Sequence, residues 1–231
     1  MTPSAGKCKI CTVKTYGDYC PIAMGAEAIG DRWTPLVLRE LMVGATRFSD
    51  IHRGVPRMSR TLLAQRLKQL ERSGIIERRE GPTYHLTPAG QELEPVVFGL
   101  GDWAKRWLLG DPTADQLDGA QMMWRVSRAL VEDELPERRT VVQFDFPTAR
   151  RGRTVWLVLD PAGSTVCERD EGFAADLHVT ADLSEFQRVW AGRSTWNAAI
   201  RSGHVTLDGP RPLVRAFPRW FALSHFVSRP C

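Results

Sequence analysis

The stretch MSRTLLAQRLKQLERSG, residues 58–74, sets leucines at positions 62, 63, 67 and 70. On a helix, Leu63, Leu67 and Leu70 share one side, while Thr61, Gln65, Lys68 and Arg72 stand opposite. Ser59 is placed to cap the start of this helix by accepting a backbone N–H, and Gly74 to end it. The leucine side reads as core. What the polar side meets depends on the neighbouring elements.

Upstream, RFSDIHRGV (47–55) reads as a short helix with Ser49 near its start, closed by Gly54 and Pro56. Before it lie two more helical stretches, one from Pro21 to a break at Gly30-Asp31 and one in WTPLVLRELMVG. Downstream, Ile75-Ile76 and Arg78-Arg79, a Glu-Gly-Pro turn and Thr83-Tyr84-His85-Leu86 read as two short strands. Thr87-Pro88 is a cap followed by proline at the first helical position. It opens an apolar helix over 88–109 carrying Leu93, Val96, Val97, Leu100, Trp103 and Trp107. A short helix followed closely by one with a polar leading face is a helix-turn-helix, whose second helix enters the DNA major groove. The hairpin behind it is then a wing.

Charge placement agrees with that reading. The net charge of +4 is small, but residues 47–79 hold nine Lys+Arg against three Asp+Glu. Residues 1–110 hold 16 against 11, and residues 111–231 hold 15 against 16. A local basic excess suits a phosphate backbone.

CPIAMGAEAIGDRWTPLVLREL, RFSDIHRGVPRMSRTLLAQRLKQLERSGIIERRE and YHLTPAGQEL together resemble the HxlR family of bacterial winged-helix regulators over residues 19–108. The matching features are Cys20-Pro21, the Gly-Asp-Arg-Trp turn at 30–33, Arg47-Phe48-Ser49, Ser59 with the leucines, and Tyr84-x-Leu86-Thr87-x-x-Gly90. The wing turn, 80–82, is short for the family. On this reading Arg60 and Gln65 reach base edges, since Arg pairs guanine and Gln pairs adenine. Arg57, Lys68, Arg78 and Arg79 hold phosphates, and Arg47, Ser49, Ser59 and Thr61 complete the DNA face. The resemblance also implies a homodimer paired through terminal helices, here Leu93, Val97, Leu100, Trp103 and Trp107. Some such regulators sense oxidants or electrophiles through a cysteine at the place of Cys20. There the helix N-terminus favours a thiolate, with Cys8 and Cys11 as candidate resolving partners.

Beyond Asp111-Pro112 a helix over 114–135 is expected, then the β-rich runs TVVQFDF, RTVWLVLD, STVCER, ADLHVT and HVTLDG, with helices around 182–190 and 194–203 and a final aromatic helix. This predicts an α+β domain with a mostly antiparallel five-stranded sheet. Residues 176–221 resemble the sterol-carrier-protein fold, in an Asp-capped helix, Trp-x-Gly, a helix ending Arg-Ser-Gly and a strand with Asp-Gly. That resemblance implies an apolar tunnel, with Phe144, Trp156, Val158, Trp190, Trp196, Phe217 and Phe221 as its candidate lining.

Cys8-x-x-Cys11 with Cys20 supplies three ligands of a zinc site but no fourth at a sensible spacing, so no metal is expected. No phosphate loop, nucleophile elbow or zinc-protease motif is present, which argues against an enzyme, and no cofactor is implied. No run of apolar residues approaches the ~20 needed to span a bilayer, and the first residues lack a secretory apolar stretch, so a cytoplasmic protein is expected. The division expected is a flexible N-terminus over 1–19, a winged helix over 20–110 and a ligand-binding or dimerisation domain over 111–231. The chain then reads as a dimeric regulator of double-stranded DNA, repression being the common mode in the resembling family, with a second half responsive to an apolar small molecule or lipid. Two alternatives are a thiol switch at Cys20 with a structural second half, and a lipid carrier whose basic half binds anionic membrane.

Overall fold

Two main hydrophobic cores, one in each half, organise residues 15–224, the part of the chain that the computed structural model describes. The N-terminal half runs α1 (Pro21–Ile29), α2 (Thr34–Met42), α3 (Phe48–Gly54), α4 (Arg60–Arg72), β1 (Ile76–Arg79), β2 (Thr83–Leu86), α5 (Pro88–Gln91) and α6 (Glu94–Trp107). Val37, Leu38, Ile51, Leu63, Leu67 and Leu70 form its centre. β1 and β2 are antiparallel with Ile76 opposite Leu86, and Tyr84 N–H donates to the Thr46 carbonyl at 2.8 Å. That bond ties the wing to the loop ahead of α3.

The single helix expected over 88–109 is interrupted. α5 stops at Gln91 and α6 starts at Glu94. Pro95 has no N–H to give the Gln91 carbonyl, so an unbroken helix would lose a bond there. Of α6, Val97 and Phe98 are buried. Leu100, Trp103 and Trp107 are 51%, 54% and 68% exposed.

The C-terminal half runs α7 (Gly119–Val126), β3 (Thr140–Asp145), β4 (Thr154–Asp160), β5 (Gly163–Cys167), β6 (Leu177–Ala181), α8 (Leu183–Trp190), α9 (Trp196–Arg201), β7 (Val205–Asp208) and α10 (Arg211–Ala216). Its five strands form a mixed sheet in the order β5-β4-β3-β6-β7, with β3 and β6 parallel and the other pairs antiparallel. The helix expected over 114–135 is only α7. Asp118 caps it, and the Ser127 hydroxyl donates to the Trp124 carbonyl at 2.9 Å at its end. Such local bonding competes with further helical turns. The final aromatic helix also breaks, ending at Ala216 before a tight turn over Phe217–Arg219 in which Pro218 lacks an N–H.

The halves meet where α7 packs on α3. The Gly54 carbonyl, at the end of α3, accepts from Arg39 Nη2 at 3.3 Å and from Gln121 Nε2 at 3.0 Å. Glu40, 2% exposed, accepts from Arg39 Nε at 2.9 Å. A Cβ on Gly54 would lie 2.0 Å from the Glu40 carboxylate, so this position is a glycine for reasons of space. Arg128 Nη2 donates to the Val43 carbonyl at 2.7 Å, and the Arg53 and Arg128 guanidiniums lie over the Trp124 ring.

Arg125 enters the same junction. Its Nε is buried without a hydrogen-bond partner. Burial first, and the Arg39 charge second, lower its pKa to about 10, with Glu40 and Asp118 opposing. The folded state therefore holds this proton less tightly than the unfolded chain does. The charge costs stability below pH 10, and the cost fades as pH rises from about 10 towards the ordinary arginine value. Arg125→Met, which removes the buried charge and keeps the length, should leave the unfolding free energy at pH 7 unchanged or raise it by about 1 kcal/mol. Urea titration measures this. A loss of about 2 kcal/mol or more would mean that the guanidinium holds the halves together.

Candidate nucleic-acid interface

Ser59 sits just outside α4 in extended conformation and its hydroxyl accepts from Leu62 N–H at 3.2 Å. This satisfies one of the amides that every helix start leaves open. Leu63, Leu67 and Leu70 are fully buried, each contributing roughly 2 kcal/mol. They fix the rotation of α4 about its axis. Arg60, Thr61, Ala64, Gln65, Lys68, Glu71 and Arg72 consequently face solvent on an arc of about 140°, its charges basic but for Glu71.

Arg66, on the flank of that arc, is half-buried, pairs with the Asp31 carboxylate and donates to Gln69 Oε1 at 2.6 Å. It fastens the 30–33 turn to α4 and is not part of the open face. The turn between α3 and α4 is held by His52, whose Nε2 lies 2.9 Å from the Met58 carbonyl oxygen and whose ring stacks on Phe48.

Of the other residues expected on the DNA face, Arg47 and Ser49 are exposed at the start of α3, where the Ser49 hydroxyl donates to Asp50 at 3.3 Å. On the wing, the Arg78 guanidinium lies over the Tyr84 ring and Arg79 pairs with Glu77 at 2.6 Å. Arg79 therefore offers a partly neutralised charge. Arg57 lines the cleft between the two halves. Arg72 and Ala64 were not among the expected contacts, yet both belong to the open face. Arg72 lies one helical turn beyond Lys68, a spacing visible in the sequence, and Ala64 leaves the middle of the face low enough for close approach.

The remaining candidates fall into three groups. Among the dimer residues, Leu100, Trp103 and Trp107 are exposed and Leu93 is half-buried, but Val97 packs into the core of its own half. The expected tunnel lining divides across the sheet. Phe144, Phe217 and Phe221 pack with Trp190 and Trp196 on the helical face, and Phe217 lies 5.0 Å from Phe221 and 5.1 Å from Trp196 between ring centroids. Trp156 and Val158 lie on the other face with Val141, because alternate residues of a strand point to opposite sides. The seven residues do not surround one space. Finally, Cys20 is a free, half-buried thiol immediately ahead of α1 whose side chain makes no capping bond. Cys8 and Cys11 lie outside the described residues, among which no group of three His, Cys, Asp or Glu side chains is arranged to hold a metal ion.

Comparison with known proteins places this arrangement. A family profile described as HxlR-like helix-turn-helix matches residues 28–111. YvaP of Bacillus subtilis (strain 168), named as an uncharacterized HTH-type transcriptional regulator, is 32% identical over 103 residues, which are 42% of this chain and 94% of YvaP. The chain belongs to the HxlR-like helix-turn-helix family. The HTH-type transcriptional regulator YodB of the same organism is 36% identical over 95 residues, 38% of this HxlR-like chain and 85% of YodB. The crystal structure of quinone-bound YodB aligns with a TM-score of 0.36 at 36% identity, covering 38% of this chain and 99% of that one.

In this HxlR-like unit the open face of α4 depends on an ordered first turn. Ser59→Ala should cost about 1 kcal/mol in urea unfolding and speed amide exchange at Leu62. Unchanged exchange there would show that the cap is dispensable.

Proposed function

We propose that the chain is a homodimeric transcriptional regulator that binds double-stranded DNA through α4, with its second half acting as an effector module. The observation that carries this reading is the exposed row Arg60, Thr61, Gln65, Lys68 and Arg72 on a capped helix in the second position of a helix-turn-helix. Arg60 stands at the leading end and Gln65 at the middle of the exposed face, within reach of base edges in a helix laid in the major groove. Lys68, Arg72, Arg47 and Arg78 suit phosphates.

The dimer face is α6 with α1. Leu100, Trp103 and Trp107 are exposed on α6, and Ile22 and Met24 on α1 are 82% and 56% exposed. Exposed apolar side chains on these helices support an interaction surface, and a two-fold pair would present two copies of α4 to successive major grooves. The C-terminal half, with its Asp182-capped α8, Trp190-Ala191-Gly192 and five-stranded sheet, supports a sterol-carrier-like module. Its contact with α3 through Gln121 gives it a route to the DNA-binding unit.

Fluorescence anisotropy with a duplex from the region upstream of its own coding sequence, set against a scrambled duplex, tests the reading. Two chains should bind per specific duplex. Lys68→Ala should weaken all duplexes alike and reduce the salt slope by about one, whereas Gln65→Ala should relax preference at one position by about 1–3 kcal/mol. Equal affinity for the scrambled duplex at all salt concentrations would refute sequence-specific regulation. Light scattering checks the dimer separately: Trp103→Glu should yield monomers, and a persistent dimer would place the interface elsewhere.

A further inference from the structure

Between the two halves lies a cleft of about 690 Å³, a volume within the range of small-molecule sites. Its walls carry the side chains of Arg57, Arg125, Arg188 and Arg193, with Trp33 and Leu109 as apolar surface. Asp111 is the one carboxylate among the lining residues, and Arg188 and Arg193 both approach its Oδ1, at 3.3 and 3.2 Å. Arg125 brings a buried Nε with no hydrogen-bond partner. Trp33 adopts a left-handed backbone at φ 80°, a conformation that costs a non-glycine residue energy and that recurs at ligand sites. The orphaned Nε of Arg125 is a cost to stability that a bound anion would repay.

We propose that this cleft binds an organic carboxylate with an apolar body, its charge paired with Arg125 and the neighbouring arginines and its body against Trp33 and Leu109. Residues 54–57, the end of α3 and the start of the turn into α4, line the same cleft. Occupancy therefore bears on the helix-turn-helix directly. The effect on DNA rests on the regulator reading above, but the binding itself does not.

Isothermal titration calorimetry of the full chain tests binding with benzoate, 2-naphthoate and decanoate, each matched with its uncharged amide. At least one carboxylate should bind at one site per chain, and about tenfold or more tighter than its amide. Arg125→Met and Arg193→Gln should each weaken it by about tenfold without lowering the melting temperature. No binding by any of the three at millimolar concentration, equal binding of the amide, or undiminished binding by both variants overturns the site. With the carboxylate bound, affinity for the specific duplex should shift by about fivefold or more in the anisotropy measurement. Carboxylate binding with no such shift overturns the coupling and leaves the site standing. A protein that binds no duplex at all overturns the regulator reading, and calorimetry still decides the site.

Discussion

The Gly54 carbonyl is the contact on which the relation between the two halves depends. It ends α3, so no later turn of the helix supplies it with a donor. Arg39 supplies one from within the DNA-binding unit and Gln121 supplies another from α7. The two bonds meet at one oxygen only because residue 54 has no side chain and the Glu40 carboxylate fills the space where a Cβ would stand. The Glu40 carboxylate is buried there in a pair with Arg39, which offsets part of the cost of its burial. A substitution at any of these positions alters both the helix-turn-helix and the docking of the second half.

The helix-turn-helix was legible because several independent signals agree over residues 47–90. The leucine spacing, the Ser59 and Thr87 caps, Gly74 and the turn residues of the wing each specify the same local structure, and each is met. Two expected helices break where a proline sits inside a strong apolar pattern. Pro95 and Pro218 each end a helix that hydrophobic periodicity alone would continue. The pattern reports which side chains prefer burial, whereas the missing N–H decides whether the backbone can run through.

The second half was less legible for a different reason. β4 reads TVWLVLD, apolar at almost every position, and all residues from Val155 to Leu159 are buried. A strand covered on both faces loses the alternation that would tell them apart. Val155, Leu157 and Leu159 turn to the helices and Trp156 and Val158 to the opposite surface, and size and aromaticity do not separate the two sets. Val97 was misread similarly: one apolar helix serves its own core on one side and is left exposed on the other, and sequence does not say where the boundary runs. Arg125 carries no sequence mark. Its significance comes from the junction that α7 and α2 build around it.

The junction and the exposed apolar row of α6 are joined by a short path. α6 ends at Trp107, and residues 108–113, which follow it directly, form one wall of the interdomain cleft while residues 54–57 form another. The contacts between the halves are largely polar: Gln121, Arg128 and Arg193 each donate to a backbone carbonyl across the boundary. Interfaces of this kind shift at lower cost than an apolar core. By contrast, α4 is seated on buried leucines and moves only with its own half. A change in the cleft thus has two outlets, the turn that aims α4 and the end of the helix that would set the distance between two copies of α4. For a ligand to use them it must bind one placement of the halves more tightly than the other, since equal affinity for both shifts nothing. Arginines drawn from both sides of the boundary, Arg57 from one and Arg125, Arg188 and Arg193 from the other, line the cleft, so an anion that bridged the two sides would make such a difference.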